Sequence, residues 1–226
     1  MAQTSDSVAD QIDRDPVLTL ARDALVRALG QDSADPAHDL EHCTRVARWT
    51  MRLAPEVPVR HAILAALLHD LVNVPKDAPD RHLASVRSAE AAADLLGPHL
   101  EPDAIAEIAA AIRDHSFSRG AVPESDLGRA LQDADRLEAL GAIGLCRTIS
   151  TGGRMGAVYF HAADPWASER PLDDRRFSVD HFFTKLLGLP ATFLTPLGRE
   201  EATRRVKVLE QFLDALAHEL EAPRPS

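Results

Sequence analysis

The stretch Ala62-Ile-Leu-Ala-Ala-Leu-Leu68 has no polar position on any face, and His69-Asp70 follows it directly. A helix that is apolar all round is a buried one. Setting an imidazole and a carboxylate at its end costs several kcal/mol, of the order of ~2–7, unless something compensates. Elsewhere the apolar positions recur at helical spacing. From Asp15-Pro16, the residues Val17, Leu20, Ala21, Ala24, Leu25 and Leu29 make one stripe that ends at Gly30. A helix from Pro36 to Leu53, with Asp35 as its cap and Pro36 as its first residue, carries Leu40, Val46, Ala47 and Met51. Pro55 and Pro58 separate it from the HD-bearing helix, and residues 73–82 form a Pro-rich loop beyond the HD pair. Further helices are expected over Ser88–Leu96, Pro102–Arg113, the stripe Leu127-Leu131-Ala134-Glu138, Ser178–Leu187 and Leu197–Leu220.

No internal repeat, β-alternation or Gly-rich phosphate loop competes with an all-α reading. The expectation is a single-domain helical bundle over residues 15–221, preceded by a polar, disordered stretch over 1–14. Residues of about 150–177 hold Thr-Gly-Gly-Arg, prolines and many charges without periodicity. They read as an irregular flap over a site, or as the arm of a homodimer.

With 226 residues and 45% hydrophobic content, the chain can bury a sizeable core. It has no apolar run of about 18 residues, and its start has neither a basic nor an apolar leader segment, so a cytoplasmic protein that does not enter membranes is expected. Cys43 and Cys146 lack CxxC spacing and read as buried free thiols. A formal net charge of −10 argues against polymeric nucleic acid as a partner, since no Lys/Arg block offsets it. A small phosphorylated substrate remains open, because it needs only a metal and a few local cations. The candidates are Lys76, Arg81, Arg113, Arg119, Arg136 and Arg147, with Lys76 favoured by its place just after the HD pair.

Three places hold polar residues that the patterning turns inward. His38 and His42 lie four apart, on one helical face. His69 and Asp70 end the apolar run, and Asp135 lies four residues after Leu131. Taken singly, each is better explained as a hydrogen-bonded buried histidine or a capping aspartate. Burying the whole set independently is costly, and a bound divalent cation is the economical compensator. His115 continues the Ile105-Ile108-Ile112 stripe, and reads either as a phosphate or leaving-group contact or as a helix-terminal histidine bonded to backbone.

His42, His69-Asp70 and Asp135 fall in the order of the H…HD…D signature, and the chain resembles the HD-domain metal-dependent phosphohydrolases. The strings His69-Asp-Leu-Val-Asn-Val-Pro-Lys76, His115-Ser-Phe-Ser118, Asp133 to Arg147 and His181-Phe-Phe-Thr-Lys185 resemble a bacterial subgroup, over about residues 35–215. Glu138 departs from the Asp of that subgroup's Asp-Arg-Leu-Asp string. The resemblance implies an HD-type helical fold and His42, His69, Asp70 and Asp135 as metal ligands. A mixed N/O site of this kind favours Mn²⁺, suits Fe²⁺, Co²⁺, Ni²⁺ and Zn²⁺, and suits Mg²⁺ least. Asp70 is then the residue to orient the attacking water, with Lys76 and His115 as catalytic phosphate contacts and His38 and Arg136 as further substrate contacts. The implied substrate is a nucleotide, foremost a nucleoside or deoxynucleoside triphosphate cleaved to monophosphate and diphosphate. A nucleotide 5′-phosphatase and a cyclic-nucleotide or alarmone hydrolase are the alternatives.

Two rivals of other classes remain. His38-Asp-Leu-Glu-His42 mimics the HExxH zinc-peptidase pattern, but Asp39 stands where that motif needs Glu. A nucleotide-sensing HD scaffold without turnover is the second, and intact ligands argue against it.

Overall fold

A capping serine starts the first helix. The Ser7 hydroxyl accepts from the Asp10 amide while the Asp10 carboxylate accepts from the Ser7 amide, opening α1 (Val8–Arg14). The computed structural model describes residues 7–30, 39–72, 74 and 80–224, the side chains of Arg81 and Ser118 excepted. Residues 8–14 are thus helical rather than disordered, because the capping box closes their first turn and Val8 and Ile12 are buried in the core. The remaining helices are α2 (Pro16–Leu29), α3 (Leu40–Leu53), α4 (Val59–Leu68), α5 (Ala84–Leu96), α6 (Pro102–Asp114), α7 (Asp126–Leu137), α8 (Gly141–Arg154) and α9 (Pro196–Glu219). There is no strand among the described residues; a lone bridge joins Val158 to Phe177. No helix among the described residues is long and apolar enough to cross a membrane.

The chain forms two compact units, residues 1–135 and 136–226. In the first, α4 is the central element: Ala62 through Leu68 are all fully buried, and the helix packs against α2, α3 and α6. α3 pairs with α4, and α5 with α6. Asp15 accepts from the Val17 and Leu18 amides to cap α2, and its carboxylate also lies 2.8 Å from Arg60 Nε, joining the start of α2 to α4. α3 begins at Leu40, later than its pattern suggested. Its cap is Asp39, whose carboxylate accepts from the His42 amide at 2.7 Å; Asp35 and Pro36 lie outside the described residues.

In the second unit the corner from the end of α7 into α8 is tight. A Cβ on Gly144 would fall 2.2 Å from the Ala139 carbonyl, and Gly141 sits at φ +71° against the Arg205 side chain. Both glycines of the Gly141-Ala-Ile-Gly144 string are therefore required by backbone geometry. Arg205, on α9, reinforces the corner by donating to the Leu137 carbonyl at 2.6 Å.

The stretch after α8 is irregular, but it starts later than expected, since α8 runs to Arg154. Point interactions hold it in place of an apolar stripe. Arg170 makes a two-pronged pair with the fully buried Asp180, at 2.6 and 2.8 Å, and lies over the Phe177 ring. Trp166 donates to the Ala222 carbonyl. The helix expected over 178–187 is reduced to one π turn, Phe182–Leu186.

Because α4 is sealed on all sides, truncating it leaves a cavity that its neighbours cannot fill. Leu67→Ala is expected to cost about 2–5 kcal/mol in unfolding free energy, measured by chemical denaturation.

Candidate metal centre

Two helices end in the same way, and each ending delivers a histidine. α4 closes with His69 at its C-cap and α6 closes with His115 at its C-cap. The His69 Nδ1 donates to the Ala66 carbonyl at 2.7 Å, and the His115 Nδ1 donates to the Ile112 carbonyl at 2.6 Å. A carbonyl can only accept, so Nδ1 carries its proton in each ring and Nε2 is the ring atom left to face the site. Two helix C-termini also bring the negative ends of their dipoles to this place, which favours a cation.

His42 enters from the first turn of α3, fixed through its amide on Asp39, and is fully buried. Asp70 follows α4, in a turn that Ser88 of α5 holds by accepting from the Val72 amide at 3.0 Å. Asp135 comes from α7, whose Leu127, Leu131 and Ala134 are fully buried. These side chains converge. His42 Nε2 lies 3.6 Å and His69 Nε2 3.8 Å from Asp135 Oδ1. His69 Nε2 is 3.5 Å from Asp70 Oδ2, and His115 Nε2 is 3.8 Å from Asp70 Oδ1. The result is two overlapping triads that share His69: His42/His69/Asp135 and His69/Asp70/His115.

The distances fit a shared cation better than direct pairing. They exceed hydrogen-bond length. Two donors at right angles on one ion, with bonds of about 2.1 Å, stand about 3 Å apart, a small contraction from these values. His69 Nε2 is buried and has no hydrogen-bond partner among the described residues, a costly arrangement in an apolar helix end unless an ion takes up its lone pair. Imidazole and carboxylate together form the N/O donor set that suits a divalent transition metal.

The charges follow the packing. Burial lowers the His115 pKa below its usual 6.5; the neighbouring His69 pushes the same way, against the pull of Asp70 and Asp135. For Asp135, burial raises the pKa, but His69, His115 and His42 outweigh it and hold the carboxyl below 3.8.

Other residues singled out by the sequence are placed differently. Lys76 and His38 lie outside the described residues. Arg136 directs Nη1 to the Thr192 carbonyl at 2.9 Å. Arg113 and Arg119 both hold the Asp114 carboxylate, at 2.6–3.1 Å, which engages them beside His115. Glu138 is buried just past the end of α7. Patterning did not single out Ser85 and Gln132, which bond to the backbone around the end of α6: Ser85 donates to the Arg113 carbonyl, and Gln132 to those of Asp114 and Ala121. No signal in the sequence marks them, since each reads as an ordinary polar helix residue.

The chain is similar to proteins of known family and structure. The HD domain family matches residues 39–140, a span that contains His42, His69, Asp70, His115 and Asp135. The Bacillus subtilis protein YpgQ is 31% identical over 190 residues, covering 81% of this chain and 84% of the relative. The crystal structure of YpgQ in complex with ADP superposes with a TM-score of 0.65 at 26% identity, over 90% of this chain and 96% of that one. An HD-superfamily hydrolase from Bacillus thuringiensis superposes with a TM-score of 0.67 at 26% identity, over 95% and 99% of the two chains. The chain belongs to the HD-domain family. It is an all-α, HD-type hydrolase, of a superfamily of metal-dependent phosphohydrolases that bind divalent cations.

Two outcomes are expected. His69→Ala should lower the divalent metal retained per chain, measured by elemental analysis after dialysis. The second concerns pH. With the folded His115 pKa depressed, the unfolded chain takes up a proton first as pH falls below about 6.5, so the metal-free protein loses stability on acidification. Its Tm should fall between about pH 7.5 and 5.5, and His115→Gln should flatten that slope in calorimetry.

Proposed function

We propose that the protein is a nucleotide phosphohydrolase that cleaves a nucleoside or deoxynucleoside triphosphate to the monophosphate and diphosphate, using Mn²⁺ held by His42, His69, Asp70 and Asp135. The observation that carries the nucleotide reading is the ADP complex of YpgQ, a relative that matches this chain across nine-tenths of its length. When bound, the cation polarises the phosphoryl group, neutralises developing charge and lowers the pKa of water from 15.7 toward about 7.

The chain's own residues supply the rest. Asp70 stands between His69 and His115 and is part-exposed, so its carboxylate is the group to orient an attacking water and accept from it. His115 is neutral near pH 7 and has Nδ1–H committed to Ile112, which leaves Nε2, 3.8 Å from Asp70 Oδ1, to take up by way of Asp70 the proton that the attacking water loses. Once protonated, Nε2 donates to an oxygen of the leaving phosphate. His42 and His69, both fully buried and anchored to helix ends, exclude water from the inner side. Lys76, His38 and Arg136 remain assignments as phosphate or substrate contacts, resting on the sequence; in the same proposal the protein is cytoplasmic and acts without polymeric nucleic acid.

The test is to strip the metal, reload with Mn²⁺, Co²⁺, Ni²⁺, Zn²⁺ or Mg²⁺, and incubate with triphosphates, 5′-monophosphates and cyclic nucleotides, resolving the products. Monophosphate plus diphosphate, strongest with Mn²⁺, is expected; orthophosphate alone, or ligand-induced stabilisation without turnover, overturns the reading. Asp70→Asn should lower kcat by about 10²–10⁴-fold.

A further inference from the structure

Gln132 is fully enclosed, at 1% exposure, and sits three residues before Asp135 on α7. Three residues along a helix advance about 4.5 Å on nearly the same face, so the amide and the carboxylate are neighbours. The Gln132 Nε2 donates to two carbonyls at 3.1 Å each, Asp114 and Ala121. Asp114 is the last residue of α6, directly before His115, and Ala121 lies just past the turn that follows. One amide therefore fastens the helix bearing Asp135 to both ends of the corner bearing His115. The outer side of that corner is closed by Arg113 and Arg119 on Asp114.

We infer that Gln132 is a positioning residue of the metal centre: its two N–H donations fix the separation between Asp135 and His115, and so bring the two triads that share His69 into register. The inference rests on the metal reading of the site. An amide suits the task because both acceptors are neutral carbonyls, which call for two donors on one atom. A charged donor at this buried position would disturb the field on Asp135. Without the amide, two carbonyls at the corner lose their donor and the backbone carrying His115 shifts to find others.

The experiment compares Mn²⁺ binding to metal-free protein, followed by electron paramagnetic resonance, with Tm measured alongside. Gln132→Met keeps the length and removes both donors; Gln132→His keeps one N–H at the same reach. Leu25→Ala, in the core face of α2, serves as a destabilised control. Gln132→Met should weaken Mn²⁺ binding about tenfold, Gln132→His by less, and Leu25→Ala should bind as the parent does. Should Gln132→Met fail to fold, the partial loss in Gln132→His carries the same test. The inference is overturned if both Gln132 variants bind Mn²⁺ like the parent, or if Leu25→Ala loses as much affinity as they do. A parent that binds no divalent ion overturns the metal reading and this inference together, whereas a binding parent with unaffected Gln132 variants overturns the inference alone.

Discussion

The burial of His69 is the constraint around which the first unit is organised. An imidazole at the end of a wholly apolar helix has its Nδ1–H satisfied by the Ala66 carbonyl, while its buried Nε2 has no hydrogen bond among the described residues. A polar atom so placed draws others to it, since nothing apolar can compensate it. His42 from α3, Asp70 from the turn beyond α4, His115 from the end of α6 and Asp135 from α7 surround it. The helices must pack so that four separate stretches meet, and the apolar faces of α3, α4 and α6 are arranged to allow that.

Helix ends do most of this positioning. Both C-cap histidines keep helical dihedrals, at φ −63° and −67°, so each side chain reaches back to the carbonyl three residues earlier. This gives two rings of fixed tautomer and orientation without any dedicated side-chain partner. Asp39 does the corresponding work at an N-terminus, gripping the His42 amide. The same economy extends to the corner after α6, where short donations from Ser85 and Gln132 replace an apolar contact.

The sequence exposed the parts of this arrangement that depend on periodicity. The buried stripe of α4, the span of α2 and the existence of α6, α7 and α9 follow from apolar spacing, and the H…HD…D order follows from residue identity. Positions set by a single backbone contact were less visible. The start of α3 at Asp39 is decided by one carboxylate on one amide, and α1 by a two-residue capping box that polar composition disguised. The stretch from Met155 to His181 shows no period because ion pairs such as Arg170 with Asp180 hold it, and those pairs leave no repeating trace. Within the site, an amide like Gln132 looks the same in sequence as any surface glutamine, since only the tertiary fold reveals which carbonyls it meets.

The uneven exposure of the centre gives it a direction. Its imidazoles are sealed, with His42 and His69 at 0%, whereas the Asp70 and Asp135 side chains retain 29% and 28% of their surface. With both Nδ1 protons of His69 and His115 pinned to carbonyls, no relay can run outward through the back of either ring. The centre thus opens along its carboxylate edge, with a dry rear wall of imidazole and a wet acidic lip.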